Sequence, residues 1–103
     1  MAQTSPSGSG NEDIRLRETA TGGRYSLTTK AGEAELVYHL DDAGRMVITH
    51  TYSPPEARGR GVALRLVERV VEDARARKMK IVPQCPYVAK VFERRQEWSA
   101  LRA

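Results

Sequence analysis

Three short clusters in this chain carry groups that can do chemistry. The first is Arg58-Gly59-Arg60-Gly61, set between Pro54-Pro55 and an apolar-periodic run. Glycine tolerates sharp bends and lets backbone come close to a ligand, so a glycine pair opening a helix delivers the free N–H groups of its first turn to one point. That arrangement binds anions. Arg58 and Arg60 add planar guanidinium donors suited to phosphate oxygens, although the same four residues also fit a solvated turn. The second cluster, His50-Thr51-Tyr52, puts an imidazole at the end of an alternating segment, where it can serve as a general base or as a structural histidine bonded across a sheet. The third is Cys85-Pro86-Tyr87. Proline suits the first position of a helix, which makes Cys85 an N-cap whose thiolate the helix dipole favours. A free cysteine is also commonly a small buried apolar group. Tyr87 can protonate a leaving thiolate, stack on a ligand or simply pack.

The elements that must position these groups follow from hydrophobic periodicity. Ile14 and Leu16 alternate with Arg15 and Arg17, and Tyr25 and Leu27 alternate with Ser26 and Thr28, with Gly22-Gly23 expected to separate the two segments. Leu36, Tyr38 and Leu40 share a face. Asp41 to Gly44 forms a turn, and Met46, Ile48, His50 and Tyr52 are expected to share a face of the next strand, which the two prolines end. This predicts an antiparallel meander. Past Gly61 the period becomes helical, with Ala63, Val67, Val70, Val71 and Ala74 on one stripe and ion pairs expected from Arg69 to Asp73 and from Asp73 to Arg77. Lys80 to Val82 reads as a short strand stopped by Pro83, and Pro86 to Arg94 as a second helix. Strand, helix and strand from Met46 to Val82 make a βαβ unit, which requires parallel pairing.

The phosphate-type loop in this setting resembles the R-x-x-G-x-A loop of the GNAT acetyltransferase superfamily, here Arg58, Gly61 and Ala63. The stretch HTYSPPEARGRGVALRLV, followed by IVPQCPYVAKVFERRQEW, is similar to the short single-domain branch of that superfamily over most of residues 24 to 98. The resemblance implies an α/β fold whose central strands splay apart, and a cosubstrate, acetyl-CoA. Its pantetheine arm would lie along Ile48 to Tyr52, including Thr51 and Tyr52, across from Lys80 to Val82. Its pyrophosphate would sit on Arg58, Gly59, Arg60, Gly61, Val62 and Ala63. In that branch a cysteine at the position of Cys85 lies near the acetyl group and has been considered a nucleophile. The branch often carries a second aromatic where Val91 stands and a His-Pro pair where Arg95-Gln96 stands, so those positions receive no role.

Acetyl transfer needs an unprotonated nucleophile, donors for the developing oxyanion and a proton source for the departing sulfur. Cys85, His50 and Tyr87 are the candidates for these roles. The function implied is an acetyl-CoA-dependent N-acetyltransferase acting on a small amine, polyamine or peptide, and a non-catalytic CoA-binding module is the alternative.

The chain as a whole limits the other possibilities. Its 103 residues suffice for one domain, expected over 14–103, because 1–13 is rich in Ser, Gly and polar residues and reads as a flexible tail. Lys and Arg number 17 against 13 acidic residues, a net charge of +4 that is interspersed and not massed, so a nucleic-acid partner is not favoured. The single cysteine excludes an internal disulfide and a cysteine-built zinc site, and no metal is expected. No apolar run is long enough to span a bilayer and no signal-peptide pattern opens the chain, which points to the cytoplasm.

Overall fold

The structure, a computed structural model, describes residues 14–103; the expected tail lies outside the described residues. Four strands follow one another antiparallel, β1 (Ile14–Thr19), β2 (Gly22–Thr29), β3 (Gly32–Leu40) and β4 (Met46–Tyr52). Helix α1 (Val62–Arg77) then crosses to β5 (Ile81–Pro83), which pairs parallel with β4, and α2 (Pro86–Arg94) follows. The strands stand in chain order in one five-stranded sheet. Two 3₁₀ segments, Pro55–Ala57 and Gln96–Leu101, complete the architecture, an α/β fold of meander plus βαβ unit.

The alternation that defines the strands also selects the buried face. Tyr25, Leu27, Ala34, Leu36, Tyr38, Met46 and Ile48 form one apolar surface, and α1 lays Leu66, Val67, Val70, Val71 and Ala74 on it. Ala63, expected in that stripe, is half-buried, and Val62 and Leu66 take its place in the core. Val88 and Phe92 of α2 join the same cluster, where the Phe92 ring meets Trp98 at a centroid distance of 5.4 Å. Such an aromatic pair contributes about 1 kcal/mol beyond its buried area.

Three local expectations change. Gly22-Gly23 is not the break between strands; both residues lie within β2, and the turn is Ala20-Thr21. Their smallness serves packing, since a Cβ on Gly23 would stand 2.7 Å from the Tyr38 ring and one on Gly22 would stand 2.8 Å from the His39 Cα. Asp73 receives Arg69 as expected, at 3.3 Å, but its other partner is the buried Tyr25 hydroxyl at 2.7 Å, while Arg77 pairs with Glu18 on β1. The fifth strand begins at Ile81 and includes Pro83, which pairs with Ile48.

A further change bears on the site. In β4, Ile48 pairs with Tyr38 and His50 with Val37, so Thr49 is an extra residue and the strand bulges. A bulge resets the two-residue alternation. Met46 and Ile48 face the core, but beyond Thr49 it is Thr51, opposite the buried Leu36, that points inward. His50 and Tyr52 therefore do not share the face of Met46 and Ile48. They stand on the outer side, where His50 Nε2 meets Glu35 Oε2 at 3.1 Å and Glu35 is also bonded to Arg24.

Candidate active site

Parallel pairing between β4 and β5 ends at Ile48 opposite Pro83. Past that point β4 runs on to Tyr52, whereas the other chain turns away, and the amides of Gln84 and Cys85 both donate to the Ile48 carbonyl, at 3.1 and 3.0 Å. The last residues of β4 thus have a strand partner on the β3 side only. The splay opens into a cleft of about 480 Å³ lined by Thr51, Tyr52, Ser53, Arg58, Gly61 and Tyr87 among others.

At one end of this cleft the double proline stops the sheet, a single 3₁₀ turn follows, and Gly59 and Gly61 take left-handed backbone angles, φ of 81° and 77°. Only glycine adopts these without strain. Gly61 is the N-cap of α1; no side chain caps that terminus and no carboxylate sits in the first turn. The amides of the first turn are therefore left to an external acceptor, with the positive end of the helix dipole behind them. A Cβ placed on Gly59 or Gly61 would meet nothing within 4 Å, so the backbone there is open to an approaching group. These features fit a pyrophosphate.

The two arginines diverge. Arg58 lines the cleft, with its Nε donating to the Ser53 carbonyl at 3.1 Å. Arg60 points to a neighbouring cavity of about 590 Å³, shared with Lys30 and Glu56. Val62 and Ala57 border both spaces, and Ala63 borders the cleft.

Behind Thr51, Cys85 caps α2 with Pro86 in the first helical position, as the spacing predicts. Its side chain is buried, 7% exposed, and its Sγ lies 3.5 Å from Thr51 Oγ1. Burial pushes the thiol up, but the Thr51 hydroxyl and the backbone amides of Val88, Tyr87 and Thr51 outweigh it and hold Cys85 below its ordinary value. No capping hydrogen bond closes at the sulfur, so these amides act as aimed dipoles. Tyr87 is 39% exposed and its phenol is raised, first by burial and then by Glu68 and Cys85, which keeps it protonated near neutrality. Tyr52, 42% exposed, borders the cleft at the end of β4.

Thr51, Tyr87 and the glycine loop thus line one space with Cys85 buried against Thr51, while His50 is on the opposite side of β4 and Arg60 opens into the adjoining cavity. Ser53 and Leu64 line the cleft without having been singled out by type. The Thr51–Cys85 contact had no sequence signal, because it depends on the bulge. Among the described residues no three His, Cys, Asp or Glu side chains converge as metal ligands, and no helix is long and apolar enough to cross a membrane.

Residues 24–101, well over half of the chain, match the family described as GCN5-related N-acetyl-transferase. The chain belongs to this family. The matched residues take in β2 from its third residue and every element from β3 to the final 3₁₀ segment, so the splayed strands, the glycine loop and Cys85 all lie within the match.

Proposed function

We propose that this chain is an acetyl-CoA-dependent N-acetyltransferase of the cytoplasm, passing an acetyl group to an amine of a small molecule, polyamine or peptide. The observation that carries this reading is the cleft that runs from an uncapped, glycine-opened helix N-terminus to Thr51 and Tyr87, with a dipole-stabilised thiol buried directly against Thr51.

The amides of Gly61, Val62 and Ala63 would hold the pyrophosphate of acetyl-CoA, with Arg58 beside it, and the free edge of β4 at Thr51 and Tyr52 would hold the pantetheine arm. Bound acetyl-CoA supplies an activated thioester. Cys85 Sγ, as thiolate, attacks that carbonyl; the acetyl carbon bonds to Sγ, the bond to the CoA sulfur breaks, and Tyr87 gives the departing thiolate its proton. An acceptor amine then attacks the acetyl-cysteine, the bond to Sγ breaks to restore the Cys85 thiolate, and the proton the amine loses returns through solvent to the Tyr87 phenolate. His50, paired with Glu35 on the outer face, is positioned to accept a proton only from an acceptor arriving on that face. Its separation from Thr51 across the strand is the one observation favouring the alternative of a CoA-binding module without catalysis.

Incubation with acetyl-CoA alone should leave an acetyl group on Cys85, seen by mass and removed by hydroxylamine, and addition of an amine panel should release CoA thiol. Calorimetric binding of CoA with no adduct and no thiol release under any amine would leave the binding module as the function.

A further inference from the structure

We propose that Thr51 is the positioning residue for Cys85: carried into the cleft by the β4 bulge, its hydroxyl donates to Cys85 Sγ once that sulfur is ionised and sets how readily it acts. The inference rests on the reading of Cys85 as the nucleophile. It begins from the register. Without Thr49 as an extra residue, alternation from Ile48 would bring His50 inward and turn Thr51 to the outer face; with it, the inward group is a small hydroxyl opposite Leu36. The partner is fixed with equal definition, because the Cys85 amide is tied to the Ile48 carbonyl at 3.0 Å, on the same strand and immediately before the bulge. One strand therefore anchors the backbone of Cys85 through Ile48 and reaches its sulfur through Thr51, at 3.5 Å.

A neutral thiol can donate to Thr51 Oγ1, but a thiolate can only accept, so ionisation obliges the hydroxyl to turn and donate. In a buried position the thiolate lacks the water that would otherwise solvate it, and each aimed donor counts for more than it would at a surface. The surroundings offer few substitutes. From α2 the Tyr87 and Val88 amides are aimed at the sulfur, and the Tyr87 phenol, which feels the charge of Cys85, is neutral near pH 7; from α1, Glu68 acts on Tyr87 and is bonded to Arg95. Among the described residues no charged side chain bonds to Sγ. A side-chain hydroxyl from β4 is thus the group through which substitution can tune this sulfur without rebuilding a helix terminus.

The experiment is the pH dependence of iodoacetamide alkylation of Cys85 in the full chain, for the parent protein, Thr51→Val and Thr51→Ser, each checked for a native circular dichroism spectrum. Thr51→Val keeps the β-branched shape and removes the donor; it should raise the midpoint of the profile by about one pH unit and slow alkylation near pH 7 about tenfold. Thr51→Ser keeps the donor and should return the profile to the parent's. A Thr51→Val profile that superimposes on the parent's overturns the proposal, as does a Thr51→Ser profile that matches Thr51→Val. The nucleophile reading fails separately: Cys85→Ala that still transfers acetyl at the parent rate removes it, while the alkylation profiles still decide what Thr51 does.

Discussion

Among single residues, those with the sharpest environments are split between chemistry and architecture. Cys85 and Thr51 meet at the wall of the cleft, whereas Glu18 is held by Arg77 and by the Tyr38 hydroxyl, the latter at 3.0 Å, tying β1 to both β3 and α1. Arg77 first, and Tyr38 second, hold the Glu18 carboxyl below its ordinary value. A carboxylate depressed in the folded state contributes stability above the unfolded value of about 4.5 and loses it as pH falls through the lower, folded value. Glu18→Gln should therefore lower the urea midpoint at pH 7 by the equivalent of less than about 1 kcal/mol, since the pair is partly exposed and screened, and the difference from the parent should be smaller at pH 3. Urea titrations at both pH values test this; an equal loss at pH 3 would mean that packing, not charge, is at stake. The partner behaves oppositely at the alkaline end. Burial and Glu18 push Tyr38 up to about 12, so its contribution holds below pH 10 and is lost between there and 12.

At the scale of elements, the β4–loop–α1 unit shows how strand end and helix start make one site. Pro54 and Pro55 end the strand, the 3₁₀ turn reverses direction, and Gly61 enters the helix with φ of 77°. Gly61→Glu would place an L-residue in left-handed backbone, at a cost of about 1–2 kcal/mol. It would also set a carboxylate where phosphate should approach, and like charges about 4 Å apart near a surface repel by roughly 4 kcal/mol. CoA affinity should fall more than about tenfold, while Gly61→Ala, with the strain but no charge, should lose stability and keep most of the affinity. Calorimetric titration of both variants checks this, and an unchanged dissociation constant for Gly61→Glu with a native spectrum would remove the loop from the phosphate site.

For the whole molecule, the cleft lies between the β4–loop–α1 unit and α2, which follows β5, so a ligand filling it bridges β4, α1 and α2 and should stabilise all three together. A ligand at about 100 times its dissociation constant adds roughly 2.7 kcal/mol. For a domain of this size each 1 kcal/mol is worth about 4–8 °C, so CoA should raise the melting temperature by on the order of 10 °C. Differential scanning calorimetry with and without CoA gives the answer, and an unmoved transition at millimolar CoA would contradict binding in the cleft.

What could be determined from residue order alone was whatever depends on local periodicity and on residues with few conformational options. Four alternating runs, the helical stripe after Gly61, the proline stops and the Cys85-Pro86 cap are of this kind, because strand, helix and cap preferences act over one to four residues. Gly22-Gly23 misled for the same reason: a glycine pair signals a turn locally, while its actual cause, the Tyr38 ring and the His39 backbone, comes from another strand. The partners of Asp73 and Arg77 were likewise decided by what β1 and β2 brought against α1. Most consequentially, the face on which His50 and Thr51 stand could not be read from alternation. A bulge is a mismatch between two paired strands, and it exists only once Val37 and Tyr38 are aligned against His50 and Ile48. The residue types of the site were legible; which of them meet in the cleft was settled by that register.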